Sequence, residues 1–147
     1  MRSMVHIKLV ITKTLKVTFE RSYIVSYNPK YVKFAFSNVT RYGRRSEYLG
    51  NLEFETTYIV NNNVSAHIFF YEFRRNVYKR SFIEFHYKLC DFLDQDLYIG
   101  KVAAALGVAC PIQARRYTLA NISINLVDFP NIFPFEKGRI NFCFNST

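Results

Sequence analysis

Tryptophan is absent from this 147-residue chain, and glycine, proline and cysteine are scarce, at five, four and three residues. Three cysteines cannot build a disulfide-dense scaffold, and Cys90, Cys110 and Cys143 stand at no metal-ligand spacing. There is no repeat, linker or low-complexity segment, so one compact domain is expected. Long hydrophobic runs are missing too: the longest, Val102 to Cys110, has nine residues, against the roughly 20 of a spanning helix. Near the N-terminus Arg2, His6, Lys8, Lys13 and Lys16 interrupt Val5, Ile7 and the triplet Leu9 to Ile11, so no signal-peptide core of about 7 to 15 apolar residues is visible. P-loop, dinucleotide, nucleophile-elbow and HExxH motifs are all lacking, and neither an enzyme nor a cofactor is expected. Acidic residues are few. Eleven Asp and Glu against twenty Lys and Arg leave a net charge of +9, which brings nucleic acid, phospholipid headgroups and acidic glycans into consideration.

What the chain has in excess is rings: 15 Phe and 11 Tyr, 18% of all residues, a composition that favours strands and large apolar interiors. Leu15, Val17 and Phe19 alternate with polar residues, as do Val32, Phe34 and Phe36, then Leu52 and Phe54 within Tyr48 to Tyr58, and each set predicts a strand with one buried face. Asn61-Asn62-Asn63 is the strongest hairpin signal, because Asn tolerates left-handed backbone. Val64, Ala66, Ile68 and Phe70 then share one face of the returning strand. From Phe82 the period changes: Phe82, Phe85, Leu89 and Phe92 recur at helical spacing, and Leu97 to Leu106 has good helix propensity. A final pair of strands is expected at Tyr117 to Leu126 and around Ile140, Phe142 and Phe144. The pattern predicts a mainly β, antiparallel domain with a short helical insertion around 82–106.

Chemistry-bearing groups are dispersed. His6, His67 and His86 are far apart with no metal-ligand spacing, so no metal site is expected. Asp91, Asp94 and Asp96 follow one helix, near Lys88 and Lys101, and read as a solvated face. Basic clusters at Arg41/Arg44/Arg45, Arg74/Arg75/Lys79/Arg80, Arg115/Arg116 and Lys137/Arg139 fall at expected turns or strand ends and would form a cationic rim if those ends converge. No RNP motif or zinc finger points to nucleic acid. Sequons stand at Asn38, Asn63, Asn121 and Asn145. Spacing alone leaves Cys90 and Cys110 open between two free thiols and a bridge worth roughly 3 kcal/mol. Cys143 falls on the strand face opposite Ile140, Phe142 and Phe144 and is expected to point away from the core.

The order of several landmarks is informative. Val17-Thr18-Phe19-Glu20, Asn28-Pro29-Lys30-Tyr31-Val32 and Arg41-Tyr42-Gly43-Arg44-Arg45 are followed by Cys90-Asp91-Phe92-Leu93, Ala109-Cys110-Pro111, the Tyr117 strand, and Phe129-Pro130 leading to Gly138. This order resembles an arthropod domain family of unknown function allied to the CheB chemosensory proteins. That family is similar to the ganglioside-activator-like, or ML, lipid-recognition proteins, and the resemblance covers roughly Val17 to Asn145. It implies a secreted, glycosylated, immunoglobulin-like two-sheet β-sandwich over 15–147, a Cys90–Cys110 disulfide, and a non-catalytic carrier holding a lipid or small hydrophobic ligand between its sheets. Residues 1–14 are then expected outside the sandwich, as a poorly ordered segment or a mis-assigned leader. Phe34, Phe36, Leu52, Phe54, Ile68, Phe70, Leu119 and Ile124 are expected to line the ligand pocket. Arg44, Arg45, Arg74 and Arg75 would form its cationic rim and favour acidic headgroups, and glycans are expected at Asn38, Asn63 and Asn121. The implied partners are the ligand and a membrane receptor but not nucleic acid, with the protein a monomer or, through Cys143, a dimer. The alternative is a structural or interaction module with a filled core.

Overall fold

Val64, Ala66, Ile68 and Phe70 do share one face of an extended segment, and all four are buried. The computed structural model describes residues 2–11, 17–44, 47–124 and 137–146. They form strands β1 (Arg2–Ile11), β2 (Val17–Ser26), β3 (Val32–Thr40), β4 (Leu49–Thr56), β5 (Val64–Arg74) and β6 (Val77–Lys88), then helices α1 (Leu89–Gln95) and α2 (Gly100–Ala105), and finally β7 (Arg116–Ile122) and β8 (Lys137–Ser146). Two antiparallel sheets result, one ordered β2-β1-β8-β5-β6 and the other β3-β4-β7. They face each other as a β-sandwich; α1 rests on β5 and β6, and α2 packs against α1. Phe19, Ile68 and Ile140, each 1% exposed, are the largest fully buried side chains; burial of each stabilises the fold by about 1.5–3 kcal/mol.

Several expectations need correction. Arg2–Ile11 does not lie outside the sandwich: it is β1, paired on both sides by β2 and β8. From Val5 to Leu9 apolar residues alternate with His6 and Lys8, which is the period of a half-buried strand. Asn61 to Asn63 is a turn but joins no hairpin, since β4 and β5 belong to different sheets. There the Asn63 Oδ1 accepts from the Asn61 N–H at 3.0 Å, and the Asn62 Oδ1 accepts from the Cys90 N–H at 3.0 Å. The loop thus supplies a hydrogen bond to an otherwise unpaired donor in the first turn of α1.

The helical insertion begins at Leu89, not Phe82. Residues 82–88 finish β6, where Ile83 is buried, Phe85 and Tyr87 half-buried, and Phe82 79% exposed; a period of 2.0 has won over one of 3.6. Lastly, Cys143 lies on the outer face as expected yet is buried, 4% exposed, with Met4 and His67 as its cross-strand neighbours. Its sulfur is therefore not presented to a second chain. The expectations at Leu15 and Leu126 fall outside the described residues.

Two local devices shape the ends of the elements. Arg75 and Asn76 take φ of 52° and 63° between Arg74 and Val77, which are directly paired. Left-handed backbone at both central residues is what a two-residue hairpin needs to match strand twist. Asp96, 7% exposed, accepts at Oδ2 from the Ile99 and Gly100 N–H groups, both at 2.8 Å, and so anchors the start of α2. The solvated reading fits Asp94, which is exposed, and fails for Asp96. Cys90 and Cys110 form a disulfide, Cα to Cα 5.7 Å, that ties α1 to the segment leaving α2.

Candidate ligand cavity between the sheets

Small side chains face inward where the sheets meet: Ser22 from β2, Ala35 and Ser37 from β3, and Gly50 from β4. Their lack of bulk leaves a cavity of about 250 Å³, somewhat below the usual ~300–1,000 Å³ of small-molecule sites. Its walls are the inner faces of both sheets, including Ile7, Phe19, Phe142 and Phe144 on one side and Leu52, Phe54, Leu119 and Ile122 on the other. Leu89, Phe92 and Leu93 of α1 and Val102, Ala103 and Leu106 of the α2 region close it further. Among its lining residues Ser26, Tyr27 and Leu106 are solvent-exposed, and they mark its opening at the end of β2 beside α2.

A bulge creates this space. The β3–β4 register shifts between Val32 and Phe34, and an extra residue there inverts the alternation that follows. Val32 lines the cavity, and beyond the bulge Ala35 and Ser37 do. Phe34 and Phe36, expected in the pocket, are turned to the outer face, where Arg116 covers the Phe34 ring at 4.8 Å and Phe36 is 50% exposed. Leu52, Phe54, Leu119 and Ile124 do line the cavity, and Leu52 and Leu119 are directly paired across β4 and β7. Ile68 and Phe70 are buried but fill solid core beside it, Phe70 meeting Phe85 edge-on at 6.1 Å.

The cationic residues do not gather at this opening. The β3–β4 turn carrying Arg44 and the β5–β6 hairpin carrying Arg74 and Arg75 lie at the same end of the sandwich, opposite the end of β2. None of the three lines the cavity; Arg74 pairs with Glu72 at 3.6 Å, and Arg45 falls outside the described residues. Cations instead cover rings on the outer face of the large sheet, as Arg139 does over Tyr71 at 4.6 Å and Arg80 over Phe69 at 4.2 Å. Asn38, Asn63 and Asn121 are exposed; Asn145 is half-buried on β8, which is paired on both sides.

Among the described lining residues there is no Lys, Arg, His, Asp or Glu. Several polar lining groups are engaged with protein. Ser37 Oγ donates to the Asn51 carbonyl oxygen at 2.8 Å, Ser22 and Ser37 hydroxyls bond to each other across the sheets, and Thr56 Oγ donates to the Gln113 carbonyl oxygen at 2.9 Å. The site can bury an apolar body and offers no ionised group or base. Among the described residues no three His, Cys, Asp or Glu side chains gather into a cation-binding group. Small inward residues and helical wall residues escaped sequence reasoning; serines at inward positions of apolar strands were the available signal. Comparison of the chain with protein-family models, with curated proteins and with solved structures yields no match.

Proposed function

We propose that this protein is a non-catalytic carrier that holds a lipid or other small hydrophobic molecule between its two sheets. The observation that carries the reading is the inter-sheet cavity, walled by apolar side chains from both sheets and both helical segments. An interaction module with a filled core is the alternative, and a void of this size speaks against it, since protein interiors are otherwise close-packed. The resemblance to the CheB-allied, ML-like family points the same way and suggests a role in chemical communication, with a membrane receptor as the downstream partner. The Cys90–Cys110 disulfide and the three exposed sequon asparagines fit an oxidising, extracellular setting.

Leu52→Trp should plug the cavity and lower uptake of the fluorescent probe N-phenylnaphthylamine at least roughly tenfold, while far-UV circular dichroism is retained. Phe36→Trp, on the outer face, should leave uptake as it is. Equal uptake by wild type and Leu52→Trp, or none by wild type, would overturn the carrier reading.

A further inference from the structure

The proton inventory of the Ser22–Ser37 pair says more about the ligand than cavity size does. Each hydroxyl owns one proton and two acceptor lone pairs. Ser37 spends its proton on the Asn51 carbonyl oxygen, so in the Ser22–Ser37 bond it is Ser22 that donates. Both donors are then committed, whereas Ser22 Oγ keeps two lone pairs and Ser37 Oγ one, at positions that line the cavity. Both serines are buried, at 6% and 8% exposed, so water competes poorly for those lone pairs.

Resting on the carrier reading, we propose that the cavity selects an uncharged single-chain molecule bearing a hydroxyl, whose O–H donates to Ser22 Oγ. A carboxylate is disfavoured twice. It has no proton to give to Ser22, and the described lining holds no cation to offset its burial. At the opening Ser26, Tyr27 and Leu106 are themselves neutral, and the neighbouring Lys30 lies over the Tyr31 ring at 5.3 Å. The volume suits one chain better than two. The cavity, at about 250 Å³, exceeds the ~150 Å³ that accepts benzene but lies below the range of ordinary ligand pockets.

The test is displacement of N-phenylnaphthylamine at pH 8 by a chain-matched set: decanol, decyl methyl ether and decanoate. Decanol should bind roughly 2- to 10-fold more tightly than the ether, the ratio one net neutral hydrogen bond provides, and at least roughly tenfold more tightly than decanoate. In the Ser22→Ala/Ser37→Ala double variant, which removes both hydroxyl acceptors, the preference for decanol over the ether should disappear. Equal affinities of decanol and ether for wild type, or decanoate binding as well as decanol, would overturn the proposal and leave the carrier reading standing. Failure of N-phenylnaphthylamine to bind wild type would remove the carrier reading, and this proposal with it.

Discussion

His6 shows how far one side chain's chemistry is set by neighbours distant in sequence. It sits on the outer face of β1, where burial, then the Arg139 and Lys8 charges, lower its pKa from 6.5 to about 4. Its Nε2 is buried without a hydrogen-bond partner, and Nδ1 lies 3.4 Å from the Tyr23 hydroxyl. Folded protein therefore keeps His6 neutral, while the unfolded chain protonates it near pH 6.5. Between those values the unfolded state holds more protons, so stability falls on acidification from about pH 6.5 to about pH 4 and this contribution levels off below. In urea titrations across that window, His6→Gln should show a shallower decline than wild type; parallel declines would mean that His6 takes up its proton equally well in the folded state. Phe36 is the converse case. Its hydrophobicity says inside, but a bulge two residues away places it half in solvent.

At the scale of elements, the helical insertion depends on one close approach. A β-carbon at Gly100 would stand 1.9 Å from the Phe92 carbonyl oxygen of α1, and a backbone atom has no rotamer by which to yield. Gly100→Ala should therefore destabilise the protein by roughly 2 kcal/mol or more, read as a lower urea midpoint at unchanged slope. The cost reaches beyond α2, because Val102 and Ala103 wall the cavity and Asp96 is held by the Gly100 N–H. An unchanged midpoint would show that the two helices can separate without loss. Extended runs such as Val64 to Phe70 were legible as strands from alternation alone. The β6–α1 junction was not, since Phe82, Phe85, Leu89 and Phe92 satisfy a helical spacing while Ile83, Phe85 and Tyr87 satisfy a strand's.

For the whole molecule, a cavity bordered by both sheets and the insertion couples ligand binding to global stability. A ligand that binds only the folded state should stabilise it by about 2.7 kcal/mol at a hundred times its dissociation constant. Decanol at that excess should raise the melting temperature of wild type and leave that of Leu52→Trp unmoved. An equal rise in both would place the binding elsewhere on the protein. The charge of +9 does not enter this site: none of the described cations lines the cavity, and several, Arg80 and Arg139 among them, lie over outer-face rings.

By itself the sequence determined the β class, most strand positions, and half of the expected pocket: Leu52, Phe54, Leu119 and Ile124. The strand positions follow from local alternation, which each strand carries whatever its partner; the pocket residues were expected from the family resemblance. Only the tertiary structure decided that β1 enters the large sheet, that Phe34 and Phe36 turn outward, and that Ser22, Ala35 and Ser37 leave room between the layers. Pairing register, bulges and the helices' approach arise from contacts between residues far apart in the chain, and a one-residue shift reverses every side chain beyond it.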